Sequence, residues 1–306
     1  MTKVSILLIG LAIFFSLKSQ VVWAKEGLLK IVATQTFYAD IAKQIGKEKV
    51  EVKSVALPKF NVHFIQPKPS DVRDVAKADL YVNAGLDLEA WSDPLLEAVG
   101  RPELFRGGKR NVDLSKGIRL LNVPNQTVTR AEGDIHLFGN PHYNLNPENV
   151  KIMAKTILEK LKEIDPANAD YYEKNESALI TRLGEKISEW KALCAHCVGK
   201  EVISYHDDLV YFANFLGIKA EQFIEPKPGI PPTPKHLQFL EDYVKANQVK
   251  LIVMPTYYPK DAAQQLANRV GSKVVTLCQN VGELPGTDDI FSFFDYNFKQ
   301  ISEIPK

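Results

Sequence analysis

The sequence predicts an α/β protein of two lobes, each a mostly parallel sheet with covering helices, joined by one long helix. Three observations lead there. Short apolar runs alternate with helical periods along most of the chain, the pattern of parallel strands linked by crossover helices. The order strand, helix, proline-rich loop, helix, strand occurs once in each half, as a repeat of architecture and not of residue identity. Between the halves lies a helical period longer than the ordinary range of roughly 8–20 residues.

The elements follow in order. LKIVAT reads as a buried strand and FYADIAKQIG as a helix closed by Gly46. KVEVKSVA is a second strand, followed by the loop LPKFNVHFIQPKPSD, the helix PSDVRDVAKA and the strand DLYVNAG. In the second half KEVISYH is a strand and DDLVYFANFLG a helix ending at Gly217. The loop FIEPKPGIPPTP leads to the helix KHLQFLEDYVKANQ, the strand KLIVMPT, the helix KDAAQQLANRVG and the strand SKVVTL. Between the halves two helical stretches break at Asp165-Pro166. The second has about 27 residues without proline and would reach ~40 Å, enough to act as a strut. Its apolar residues Tyr172, Leu179, Leu183, Ile187 and Trp190 recur near helical spacing. The expected organisation is a signal peptide at 1–24, an N-terminal lobe at 25–165, the linking helix at 166–193 and a C-terminal lobe at 194–306.

The first 24 residues carry Lys3, an apolar run from Val4 to Leu17 and the exit Val22-Trp23-Ala24. This is the pattern of a cleaved secretory signal. The run is too short for a bilayer core, which needs ~20 residues, and no cysteine lies near the exit to take a lipid. A periplasmic protein is expected. Over the whole chain the net charge is +1, and losing Lys3 and Lys18 leaves it close to neutral. Nothing in that balance favours nucleic acid or an anionic membrane as partner.

Export permits disulfides. The three cysteines are Cys194, Cys197 and Cys278. CAHC suggests a structural Cys194–Cys197 bridge. It precedes a strand instead of opening a helix after one, so the context of a thioredoxin-like redox pair is missing.

Six histidines remain, at 63, 136, 142, 196, 206 and 236. His63 lies in the proline loop after a strand, His142 in the loop GNPHYNLNPENV ahead of a helix, and His206 at the end of the strand VISY. Ligands of open parallel sheets sit just beyond strand C-termini. Three imidazoles on three such loops suit a borderline cation such as Zn²⁺. A fourth ligand is expected from LPGTDDIFSFFDYN, where Asp288 and Asp289 precede a helix and one of them serves as its cap. His136, His196 and His236 read as non-ligands. Asp207 and Asp208 are candidates to orient the His206 ring.

At this point the chain resembles a family. NVHFIQPKPSDVRDVAKADLYVNAGLDLEAW is similar to the first ligand segment of the solute-binding proteins (cluster A-I) that feed zinc or manganese to ATP-binding-cassette importers. GNPHYNLNPENV resembles their second segment, VISYHDDLVYFANFLGI the third and VGELPGTDDIFSFFDYN the fourth, in order along the mature chain. The resemblance implies a metal held between two lobes by His63, His142, His206 and Asp288, the last matched by counting back from Asn297, with Asp289 as the near alternative. It implies a carrier and not an enzyme, acting as a monomer that delivers its ion to a permease in the inner membrane. Zn²⁺ is favoured and Mn²⁺ is the alternative. The stretch NVPNQTVTRAEGDIHLF lacks the run of histidines and acidic residues that many zinc-specific members carry. Two rival readings use the same residues. An exported zinc hydrolase would need an open coordination position and a general base, and no H-E-x-x-H is present. A thiol–disulfide protein would need a low thiol pKa at Cys194 or Cys197.

Overall fold

The computed structural model describes residues 27–124, 136–227 and 229–305. The expected signal peptide at 1–24 lies outside them. Among the described residues no helix is long and apolar enough to cross a membrane.

Two four-stranded sheets form the frame, and every strand pair in both is parallel. The first contains β1 (Leu29–Ala33), β2 (Val50–Ser54), β3 (Leu80–Asn83) and β4 (Asn111–Asp113), in the spatial order β2-β1-β3-β4. The second contains β5 (Glu201–Ser204), β6 (Lys219–Phe223), β7 (Leu251–Pro255) and β8 (Lys273–Leu277), in the order β6-β5-β7-β8. The two orders are the same, so the repeat of architecture extends to the topology. In each sheet the chain leaves the first strand to one side and returns to the other. That reversal opens a crevice at the strand C-termini, where open α/β sheets take ligands.

The first sheet is crossed by α1 (Thr36–Gly46), α2 (Pro69–Ala76) and α3 (Ser92–Val99). α4 (Pro147–Ile164) and α5 (Ala169–Leu193) follow it, and the second sheet carries α6 (Val210–Leu216), α7 (Pro234–Asn247), α8 (Asp261–Val270) and α9 (Ile290–Ile301). α4 begins where Asn146 accepts the Glu148 N–H and Pro147 fills the first helical position, which needs no N–H donor. It ends one residue before Asp165-Pro166, as the steric demand of proline requires. α5 has 25 residues and buries Tyr172, Leu179, Leu183, Ile187 and Trp190, the stripe read from the sequence.

The largest core cluster is shared. It joins Ile31, Leu80 and Val112 of the first sheet, Leu183 and Trp190 of α5, and Val202, Leu251 and Val275 of the second sheet. α9 closes it. Phe293 and Phe294 meet Phe37 of α1 edge-on at 5.2 and 6.0 Å between ring centroids. Phe298 stacks on Trp190 at 5.0 Å, whose indole N–H donates to Asp295. The last helix therefore packs at once against the first helix of the N-terminal lobe and the linking helix.

Three departures from the sequence reading have physical reasons. α6 starts at Val210 instead of Asp207, leaving His206 to Leu209 in a loop. β4 and β6 escape a search for apolar runs: β4 has three residues, and β6, KAEQF, is an edge strand with no fully buried side chain. The Cys194–Cys197 bridge is not formed. Both residues are buried free thiols, and their sulfurs lie within hydrogen-bond distance of the Phe298 and Ile301 carbonyls of α9. Burial raises both thiols, Cys194 to about 12, which is the opposite of what a thiol–disulfide catalyst needs.

Candidate metal site

His63 sits on a single turn, Val62–Phe64, in the loop after β2. Asn61 shapes that turn. Its Oδ1 accepts the His63 backbone N–H at 3.1 Å and meets the ring Nδ1 of the same residue at 2.8 Å. The Trp91 indole N–H donates to the Val62 carbonyl at 2.7 Å and anchors the turn to the lobe.

His142 precedes α4. Its backbone N–H donates to Asn140 Oδ1 at 3.0 Å, and the Asn140 amide donates to the Asp207 carbonyl at 2.7 Å. One asparagine thus ties the His142 loop to the His206 loop. Gly139 makes this possible: its φ is +115°, and a Cβ there would lie 3.2 Å from the Leu121 carbonyl. The next residue, Tyr143, is fully buried and donates its hydroxyl to the Ala84 carbonyl just beyond β3.

His206 follows β5, the strand at the reversal point of the second sheet. Its Nδ1 lies 2.9 Å from Glu225 Oε2. Glu225 is held in turn by its backbone N–H on the Tyr205 carbonyl and by the Gly229 N–H at its carboxylate. The carboxylate on this ring is therefore Glu225, not Asp207 or Asp208. The sequence gives no local signal for it, because Glu225 arrives on the loop after β6.

These three loops converge. One ligand atom each of His63, His142 and His206 lies within 4.8 Å of the other two. The ring centroids stand 5.2 Å apart for His63–His142 and 5.4 Å for both His63–His206 and His142–His206. His142 and His206 are buried, and His142 Nε2 is a buried nitrogen with no hydrogen-bond partner. Burial, reinforced by neighbouring imidazoles, holds His63 and His142 well below the usual imidazole value. Burial also acts against charge on His206. There the Glu225 hydrogen bond, with the charges of Asp208, Glu225 and Asp207, outweighs it and the pKa is raised. Burial lifts Asp208 to about 7. Two rings kept neutral and a third fixed by a carboxylate form the donor set of a cation with nitrogen preference.

The expected fourth ligand is elsewhere. Asp288 is exposed, and no carboxylate belongs to the three-imidazole group among the described residues. Asp289 caps α9: its Oδ1 accepts the Ser292 N–H at 2.7 Å while its own N–H donates to Ser292 Oγ. That cap fixes the turn, leaving Asp288 on the solvent side. The buried carboxylate of the same loop, Glu283, is taken up by the N–H groups of Gln279 and Asn280.

His136, read from the sequence as a non-ligand, stands beside His63 and outside the close group of three imidazoles. Its Nε2 lies 3.2 Å from His63 Nε2, and its Nδ1 lies 3.0 Å from Asp87 Oδ1. The two other excluded histidines stay excluded by their partners. His196 Nε2 sits on the carbonyls of Ser302 and Ile304, and His236 Nε2 on that of Phe223.

Known proteins bear on this geometry. A family model described as the periplasmic zinc-uptake complex component A, ZnuA, matches residues 31–304. The chain is 27% identical over 253 residues to the high-affinity zinc uptake system protein ZnuA of Bacillus subtilis strain 168, covering 81% of this chain and 78% of the relative. It is 28% identical over 227 residues to the manganese ABC transporter substrate-binding lipoprotein PsaA of Streptococcus pneumoniae, covering 72% and 70%. In fold it is similar to a crystal structure of ZnuA, with a TM-score of 0.76 and 23% identity over 91% of this chain and 99% of that one.

Proposed function

As the chain belongs to the family of periplasmic zinc-uptake component A proteins, we propose that it captures a divalent transition metal and delivers it to the permease of an ATP-binding-cassette importer. Zinc is the favoured cargo and manganese the alternative, in line with the names of its relatives. Membership in a family of substrate-binding components also sets aside the exported hydrolase. The observation that carries the reading is the convergence of His63, His142 and His206 from loops of both lobes.

In this reading the three imidazoles hold the ion. Intrinsic affinity of nitrogen donors favours Zn²⁺ over Mn²⁺. The protein acts on the outer face of the inner membrane as a monomer, after cleavage of residues 1–24, with lobes at 25–165 and 194–306 about the helix at 166–193. Hand-over requires the permease to disturb the site, because the shared core resists wide opening of the lobes.

Competition titration with a chelator tests the assignment. Replacing His63, His142 or His206 by alanine weakens Zn²⁺ binding by at least about 100-fold, above the ~10–100-fold typical of groups one step further out. Unchanged affinity in all three variants would contradict the site.

A further inference from the structure

We infer that His136 completes the shell as a fourth nitrogen ligand, so that the cargo is held by four imidazoles and no carboxylate. The inference rests on the metal-carrier reading above and specifies the chemistry of its site.

The hydrogen bonds around the rings carry the argument. Asn61 Oδ1 accepts the His63 backbone N–H, which identifies that atom as the oxygen. The ring nitrogen 2.8 Å from it, Nδ1, therefore carries the hydrogen. A neutral imidazole protonated at Nδ1 has its lone pair on Nε2. The same logic applies to His136, whose Nδ1 donates to the Asp87 carboxylate at 3.0 Å. With both rings neutral, two lone pairs face each other across 3.2 Å, an arrangement that needs a proton or a metal cation against both. A tetrahedral Zn²⁺ with bonds of about 2.0–2.1 Å sets its ligand nitrogens about 3.3 Å apart. His63 and His136 already stand at that separation.

His142 and His206 form the close group with His63, and His136 stands next to it. His206 Nδ1 donates to Glu225, leaving its Nε2 as a lone pair, and His142 Nε2 has no partner. The His136 ring centroid lies 5.2 Å from that of His63 and 6.0 Å from that of His142. Asp87 also accepts the Leu137 N–H at 2.9 Å, so one carboxylate fixes both the ring and its backbone. Asp87 stands to His136 as Glu225 stands to His206, each a carboxylate behind a ligating imidazole. The place assigned to Asp288 is thereby filled from a different loop. A shell of four imidazoles suits Zn²⁺, whereas Mn²⁺ prefers carboxylate and water oxygens.

Zinc K-edge X-ray absorption on the Zn²⁺-loaded full chain, with Zn²⁺ and Mn²⁺ competition titrations, tests this. The expected spectrum has four imidazole nitrogens in the first shell, and His136→Ala reduces them to three plus one oxygen, with a matching loss of outer-shell imidazole scattering. Zn²⁺ affinity falls at least about tenfold in His136→Ala and by a smaller factor in Asp87→Asn. Asp288→Asn leaves both spectrum and affinity unchanged, and Mn²⁺ fails to displace Zn²⁺. Circular dichroism of each metal-free variant checks that it is folded, and the wild-type spectrum decides the ligand count without any variant. A wild-type shell containing a carboxylate oxygen, an unchanged His136→Ala, or metal loss in Asp288→Asn would overturn the inference. In each of those cases the carrier reading survives if His142→Ala and His206→Ala still lose the metal, and fails if they do not.

Discussion

At the residue scale the site works by committing nitrogens. Each ring that donates its Nδ1 to Asn61, Asp87 or Glu225 has no choice of tautomer and offers Nε2 inward. Removing the acceptor frees the ring without removing the ligand. Glu225→Gln, measured by Zn²⁺ competition titration, weakens binding by about 10–100-fold; an unchanged affinity would show that Glu225 does not orient His206. Acid acts on the same atoms. Protons and the cation compete for Nε2 lone pairs. His206 has a raised pKa, so it is the first of the three to take a proton as pH falls, starting above the ordinary value of ~6.5. His63 and His142, held down by burial, follow only in stronger acid. Affinity measured against pH therefore starts to fall above ~6.5 and keeps falling below it. A profile flat through that range would contradict the ligand role of His206.

At the element scale, loops aim the rings and helices fix the loops. His63 depends on a one-turn helix held by Trp91, His142 on Gly139 and Asn140, and His206 on the end of β5. α9 joins α1 to α5, through Phe293 and Phe294 on Phe37 and Phe298 on Trp190. Trp190→Ala removes a fully buried ring and the Asp295 hydrogen bond. Thermal or denaturant unfolding should register a loss of about 3–5 kcal/mol, and a loss below about 1 kcal/mol would mean that α5 and α9 are not coupled through this contact. Much of this scale was legible in advance. The apolar stripe of α5 and the break at Asp165-Pro166 follow from periodicity and proline sterics. β4 and β6 did not show, because β4 has only three residues and β6 has no fully buried side chain.

At the scale of the whole molecule, two sheets of identical strand order present their C-terminal loops to one another, and the site lies where they meet. Strand-end position made His63, His142 and His206 conspicuous in the sequence. His136 and Asp288 could not be sorted that way. The local Asp289–Ser292 cap leaves Asp288 outside, whereas for His136 the deciding contact is distant in sequence, Asp87, 49 residues away. Glu225 was hidden for the same reason, 19 residues from the ring it orients. The shared core and the cross-lobe bonds from the Thr36 hydroxyl to the Val281 carbonyl and from the Ile290 N–H to the Asp40 carboxylate make the frame one unit. The most direct test is the zinc content of the chain by elemental mass spectrometry after purification without chelators. One ion per chain in the wild type and none in the His142→Ala/His206→Ala double variant is the expected result. Equal zinc in both proteins would mean that the metal is bound elsewhere.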